Sequence, residues 1–413
     1  MNQDIKIIRE LANQYAQIAA AAQEKKIWEL HADTNDLCPQ RPIVFINELP
    51  WHELNQDGFL TLQCVDPDFR RAEEYLRRIL FQYRYFPADM LVKSYFPVEK
   101  IIHTTGIGVE VKEETLSLQN GGSIVSHKYE NQFQTMEDVE AITEPVITYD
   151  RDASLKNFFK ISEAIGDICP VKLVGEATGY GLGHKAWDTI STMMNADNLL
   201  YALVDEPEMM HALMEKLTQG FISTIKQYEA LGLLDPDPAY CHCTSAASRE
   251  LAASGIDNEH AKANNVWGRA LAQILSTVSP AMHDEFEIDY AIKAMEPFGL
   301  VYYGCCEPLD TKIDIVSRIP RLRKISITPW ADIHVAAEAI GKKYVLSAKA
   351  NPAYLPYAAS EPEVVRREIR TYIDVCRKNG CPCEITLKDI STAGNSLENL
   401  IVWNRIAMEE ALR

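Results

Sequence analysis

Short apolar runs ending in polar residues recur along this chain, separated by stretches with a helical repeat. The clearest is Leu300-Val301-Tyr302-Tyr303, which predicts a buried strand opening through Gly304 into Cys305, Cys306 and Glu307. Pro308 ends it, because proline cannot donate to a strand ladder. Seven further runs of this design start near residues 43, 90, 171, 239, 324, 344 and 384. Helical periodicity fills most of the gaps. Residues 4 to 33 carry Ile5, Ile8, Leu11, Tyr15 and Ile18 on one face. In residues 67 to 85, Phe69, Ala72, Tyr75, Leu76, Ile79 and Leu80 oppose Arg70, Arg71, Arg77 and Arg78.

Eight strand-then-helix units predict an α/β fold, a (β/α)8 TIM barrel whose site lies at the carboxyl ends of its strands. Residues 101 to 149 break the rhythm. Alternation at Val109-Glu110-Val111-Lys112 and Ser123-Ile124-Val125-Ser126-His127 around Asn120-Gly121-Gly122 predicts a β-hairpin inserted after the second strand, as a lid or a partner surface. The first helical stretch is an N-terminal extension. No Gly/Ser-rich linker divides the chain, so residues 1–413 are expected to form a single domain.

A formal net charge of -18 argues against a surface for nucleic acid or anionic lipid, which needs an excess of Lys and Arg. No window is long and apolar enough for a membrane span, and the start lacks a signal-peptide core, so a cytoplasmic protein is expected. Ten cysteines without a secretory signal point to reduced thiols, some of them ligands, more than to a disulfide framework. The chain remains open to forming a homodimer.

A barrel would bring Glu48, Glu176, His242, Cys243, Cys305, Cys306, Glu307, Asp332, Lys349 and Asp389 to one mouth. Unpaired buried charge is costly, so such a concentration of polar strand ends predicts a cleft with chemistry in it. Thiolate and imidazole suit zinc. The ligand set read here is His242, Cys243 and Cys306, with Cys305 as the alternative to Cys306; the same thiols are also what simple core packing would use. Without a metal, Glu307 or Asp332 is the expected proton donor, raised by burial in an aromatic pocket and assisted by His242. Tyr180, Trp187, Tyr303 and Trp330 are expected to line that pocket, with Glu48, Glu176 and Lys349 contacting substrate. Gly179, Gly181 and Gly183 match neither a P-loop nor a dinucleotide fingerprint.

The segments Val301 to Asp310, Ile325-Ser326-Ile327-Thr328-Pro329-Trp330-Ala331-Asp332, Leu346-Ser347-Ala348-Lys349-Ala350-Asn351-Pro352 and Gly394-Asn395-Ser396-Leu397-Glu398-Asn399-Leu400 resemble the uroporphyrinogen decarboxylase superfamily. The resemblance runs from about residue 155 and is clearest after 280. It implies a TIM barrel with one of two chemistries, decarboxylation or corrinoid-dependent methyl transfer. The decarboxylases hold their substrate with arginines and an aspartate near the first strands, where this chain has Asn47-Glu48-Leu49-Pro50-Trp51, so decarboxylation is disfavoured. Zinc-dependent methyltransferases of the family carry His-x-Cys at the central strand and a Cys near the last. Here Tyr303-Gly304-Cys305-Cys306 and Asp389-Ile390-Ser391-Thr392-Ala393-Gly394 stand in those places, so any zinc needs another ligand set and coenzyme M is disfavoured as acceptor. The resemblance therefore implies an O-demethylase component of anaerobic metabolism. It would move a methyl group from a methylated small molecule, foremost an aryl methyl ether, to the corrinoid (cobalamin) of a partner corrinoid protein. A lyase acting on a small carboxylic acid, or a non-catalytic barrel that binds a corrinoid partner, are the alternatives.

Overall fold

The computed structural model describes residues 2–117, 125–178, 181–252 and 259–413. Eight strands pair in parallel: β1 (Ile43–Ile46), β2 (Phe96–Glu99), β3 (Val171–Val174), β4 (Trp267–Ala270), β5 (Leu300–Tyr303), β6 (Leu322–Ile327), β7 (Val345–Ala350) and β8 (Cys383–Leu387). Six of them make one sheet in the order β1-β8-β7-β6-β5-β4, and β2 pairs separately with β3. Every residue of β1, β4, β5, β7 and β8 is buried. That is why they read as continuous apolar or small-residue runs and not as alternating ones.

The α/β reading holds, and the arrangement is compatible with a barrel. The ladder stays open, however, between β1 and β2 and between β3 and β4 among the described residues. Single links span parts of those gaps: Asp89 donates its backbone N–H to Val44 (2.8 Å), and isolated bridges join Glu176 to Leu234 and His184 to Ala270.

Two of the expected strands sit elsewhere. The run from Asp89 to Phe96 becomes a strand only at Phe96. Before it, the buried Asp89 carboxylate is committed to Arg41 and to the Val44 N–H, which pins an irregular segment. The run near residue 239 is a tight loop, and the missing strand is Trp267-Gly268-Arg269-Ala270. Its glycine and arginine hide it from a hydrophobicity pattern. Gly268 is required there, since a Cβ would meet the Phe298 ring and the Met295 sulfur at 2.7 and 2.8 Å.

The N-terminal extension is two helices, Gln3–Ala19 and Ala22–Asn35, the first burying Ile8, Leu11, Ala12 and Tyr15. The insertion after β2 is antiparallel, as expected: Ile101–Thr104 pairs with Ile147–Asp150, and Glu113–Ser117 with Val125–Tyr129. The turn expected at Asn120-Gly121-Gly122 lies outside the described residues. Among the described residues no helix is long and apolar enough to cross a membrane.

Candidate metal and active site

At the carboxyl ends of the parallel strands, His242, Cys243 and Cys305 each offer one ligand atom, and the three atoms lie within 4.8 Å of one another. Gly304 delivers Cys305. Its φ of +96° turns the chain out of β5, and a Cβ there would meet Leu309 Cδ1 at 2.7 Å and Ser326 Cβ at 3.1 Å. The turned segment is fixed from behind by Glu307, which is fully buried and accepts the backbone N–H groups of Cys305 (2.9 Å) and Ala272 (3.0 Å). Burial pushes the Glu307 carboxyl up, against the pull of those N–H groups.

His242 and Cys243 come from the loop 240–245. His242 has a φ of +55°, a left-handed conformation that is costly for a residue with a Cβ and persists only where its surroundings over-determine it. The surroundings do so from several sides. Asn47 donates to the His242 carbonyl (3.2 Å), Lys349 to the Cys243 carbonyl (2.8 Å) and Lys324 to the Ser245 carbonyl (3.0 Å). Glu384, on β8 and fully buried, accepts from the Thr244 and Ser347 hydroxyls and from the Lys324 ammonium at 2.8 Å. His31 reaches the Ser245 hydroxyl (2.6 Å) from the helix Ala22–Asn35.

The electrostatics favour a thiolate on Cys243 and keep the proton on Cys305, whose thiol is pushed up by its contacts with Cys243 and Cys306 and by burial. Burial pushes the Cys243 thiol up. The hydrogen bond from Cys305, the Lys349 charge, the His242 contact and the Lys388 charge outweigh it and hold the thiol well below its ordinary range. Lys388 Nζ lies 3.3 Å from both Cys305 Sγ and Cys306 Sγ and 2.5 Å from the Asp389 carboxylate. Cys305 Sγ stands 3.7 Å from His242 Nε2, close to the roughly 3.6 Å that two ligands of a tetrahedral zinc subtend. Two thiols and an imidazole with compensating cations therefore fit zinc, with a fourth position left for water or substrate.

Cys306, the ligand preferred from sequence, is not among the three residues whose ligand atoms converge. Its Sγ lies 3.4 Å from Asp389 and 3.6 Å from Cys305 Sγ. Cys305 takes its place because the turn at Gly304 buries the first thiol under the loop and leaves the second half-buried at the rim.

Glu48 and Asp389 complete the rim. Glu48 Oε1 is 3.8 Å from His242 Nε2, and Oε2 accepts the Asp389 N–H at 3.0 Å. Burial, then the Asp389 carboxyl, push Glu48 up. On Asp389 the upward effect of burial is overcome by Lys388 and by the Glu48 hydrogen bond, which leave it low. Two neighbouring carboxyls split in this way can serve as a proton donor and a counter-charge.

A cavity of about 520 Å³, whose wall includes Asn47, Tyr75, Met90, Tyr95, Glu176 and Tyr240, meets the ligand loop through Asn47 and Tyr240, while His242, Cys243 and Cys305 are not part of its wall. Glu176 thus reaches the cavity, its carboxyl raised chiefly by burial. The remaining sequence-derived residues fall elsewhere. Asp332 caps the helix Ile333–Ile340 through the His334 N–H (2.8 Å), and Trp330 is 70% exposed. Trp187 is buried in an apolar cluster with its indole N–H on the Phe286 carbonyl (3.2 Å), and the Tyr303 hydroxyl meets His283 (2.7 Å). Tyr180 lies outside the described residues. Sequence reasoning missed Lys388, for which a lysine directly after an apolar strand and before Asp389 was the available signal.

No protein-family model matches the chain, and no curated protein matches it in sequence. The fold has a solved counterpart. A methyltransferase from Methanosarcina mazei is similar in structure, with a TM-score of 0.51 over 93% of this chain and 98% of that one. Identity between the two is 11%, so the likeness speaks for the fold.

Proposed function

We propose that this chain is a methyltransferase that moves a methyl group from a methylated small molecule, foremost an aryl methyl ether, to the reduced corrinoid of a partner protein. The observation that carries the reading is the convergence of His242, Cys243 and Cys305 within 4.8 Å of one another at the strand ends. The fold likeness to a methyltransferase is consistent with it. The cavity of about 520 Å³ that meets the ligand loop at Asn47 and Tyr240 is large enough for a small aromatic donor, and Tyr75, Tyr95 and Tyr240 are part of its wall.

His242, Cys243 and Cys305 would hold zinc, which when bound supplies Lewis acidity toward the ether oxygen. The chain's own residues do the rest. Asn47, Lys349 and Glu384 keep the ligand loop in its strained conformation. Lys388 offsets thiolate charge, and Glu307 is a positioning residue that fixes the Cys305 backbone. As the methyl carbon–oxygen bond breaks, the Glu48 carboxyl delivers its proton to the departing oxygen, and Asp389 with Lys388 balances the carboxylate left behind. Glu48 takes the donor role expected of Glu307 or Asp332, because Glu307 is fully buried with each carboxylate oxygen held by a backbone N–H and Asp332 is bound to a helix end.

The test mixes purified protein with free cob(I)alamin and a panel of methoxylated aromatics, following methylcobalamin by absorbance and zinc by mass spectrometry on the same sample. Methyl transfer with zinc bound, both lost in His242→Ala, is expected. No methylcobalamin from any donor, together with no zinc, refutes the proposal; release of carbon dioxide from an acid substrate without cobalamin would point to a lyase.

A further inference from the structure

Cys305 and Cys306 are neighbours in sequence, and their sulfur atoms lie 3.6 Å apart at the edge of the ligand trio. The two thiols differ in access: Cys305 is buried, whereas Cys306 is half-buried at the rim. Lys388 Nζ is 3.3 Å from each, so one ammonium stabilises whichever sulfur is ionised. An accessible thiol backed by a buried one beside a cation is the arrangement that carries out thiol–disulfide exchange. Nothing in the methyl-transfer reading uses Cys306.

We propose that Cys305 and Cys306 form a reversible vicinal disulfide that withdraws Cys305 from the ligand trio and so switches the site off under oxidising conditions. Its effect on the metal rests on the function proposed above; formation of the bond does not. The oxidant is a small disulfide such as oxidised glutathione. Cys306 thiolate attacks one sulfur of the oxidant, a mixed disulfide forms and one thiolate leaves. Cys305, whose proton passes to the first departing thiolate where no metal has displaced it, then attacks Cys306 Sγ, the second thiolate leaves, and two electrons have passed from the protein dithiol to the oxidant.

The bond is built to be reversed. Adjacent Cα atoms are held about 3.8 Å apart, below the roughly 4.4–6.8 Å of relaxed disulfides, and a constrained bridge is easier to reduce. The sulfurs already lie 3.6 Å apart, so closing the ring shortens their separation by about 1.5 Å to the length of an S–S bond.

The experiment uses the full chain as purified, treated with oxidised glutathione, alkylated with iodoacetamide and digested with trypsin. The peptide 294–312 contains both thiols and no other cysteine. After oxidation it should resist alkylation and weigh about 2 Da less than the unalkylated dithiol form, and a reductant should restore two alkylation sites. Zinc should fall from about one per chain to near none, and Cys306→Ser should keep its zinc under the same treatment. Cys38, which is exposed, is the internal control for oxidant delivery. If Cys38 carries glutathione while peptide 294–312 still takes two alkyl groups, the disulfide is refuted. A disulfide that forms while zinc stays bound overturns the switch. A disulfide in a chain that never held zinc supports the bond and sinks the metal assignment instead.

Discussion

Replacing Glu384 by Leu tests the support of the ligand loop most directly. Glu384 and Lys324 are both fully buried, and their side chains meet at 2.8 Å. The carboxylate also accepts from the Thr244 and Ser347 hydroxyls and from the Ser245 N–H at 3.3 Å. Removing it strands an ammonium in the interior, which costs about 3–5 kcal/mol, and leaves hydroxyl and amide donors that each add about 1–3 kcal/mol where they find no new partner. Lys324 retains the Ser245 carbonyl, so the lower bound is the safer expectation, about 3 kcal/mol. The assay is a double-substitution cycle in urea, read by tryptophan fluorescence and circular dichroism, with Glu384→Leu, Lys324→Met and the pair. Because a buried pair exchanged for apolar residues is often close to neutral, the pair should cost far less than the sum of the singles. The reasoning fails if Glu384→Leu costs under about 1 kcal/mol, or if the two changes add to within about 0.5 kcal/mol.

Other outcomes follow from the same geometry. Burial lowers the folded pKa of His31 to about 4. The unfolded state binds the proton first, so this contribution to stability is whole above about pH 6.5 and is lost as pH falls toward 4; His31→Gln should flatten that part of a stability–pH profile, and an unchanged profile would refute the assignment. Gly304→Ala forces a Cβ into a positive-φ position against Leu309, which should cost about 1–3 kcal/mol and loosen zinc binding, checked by thermal melting and chelator competition. Cys305→Ser should abolish stoichiometric zinc, whereas Cys306→Ser should not; the reverse result would restore the ligand set read from sequence. Glu48→Gln should lower turnover about 10²- to 10⁴-fold with zinc content intact.

The apolar runs at β1, β5, β6, β7 and β8 were legible because a strand buried on both faces cannot hide its hydrophobicity, and β3 was legible from Val171, Leu173 and Val174 although only Val174 of that strand is buried. β4 was not, since close packing against Phe298 demanded Gly268 and the interior accommodates Arg269. At the site, His242 and Cys243 stood out as an imidazole and a thiol side by side, although they ride on a strained loop and not on a strand. The choice between Cys305 and Cys306 turned on one backbone angle at Gly304, which no pattern of hydrophobic and polar residues encodes. Trp187, Trp330 and Asp332 read as site residues because strand-end position was taken for orientation, while packing and helix capping decided their fate.

The loop that carries His242 and Cys243 is secured by His31 near the chain's beginning and by Lys349 and Glu384 near its end. A ribosome must therefore deliver nearly the whole polypeptide before the three ligands can settle into place. A nascent chain halted before Cys383 would already own every sulfur and nitrogen of the trio, yet it would lack the carboxylate that anchors their loop and the lysine that neutralises their charge. Any metal taken up by the trio would therefore be captured late in biosynthesis.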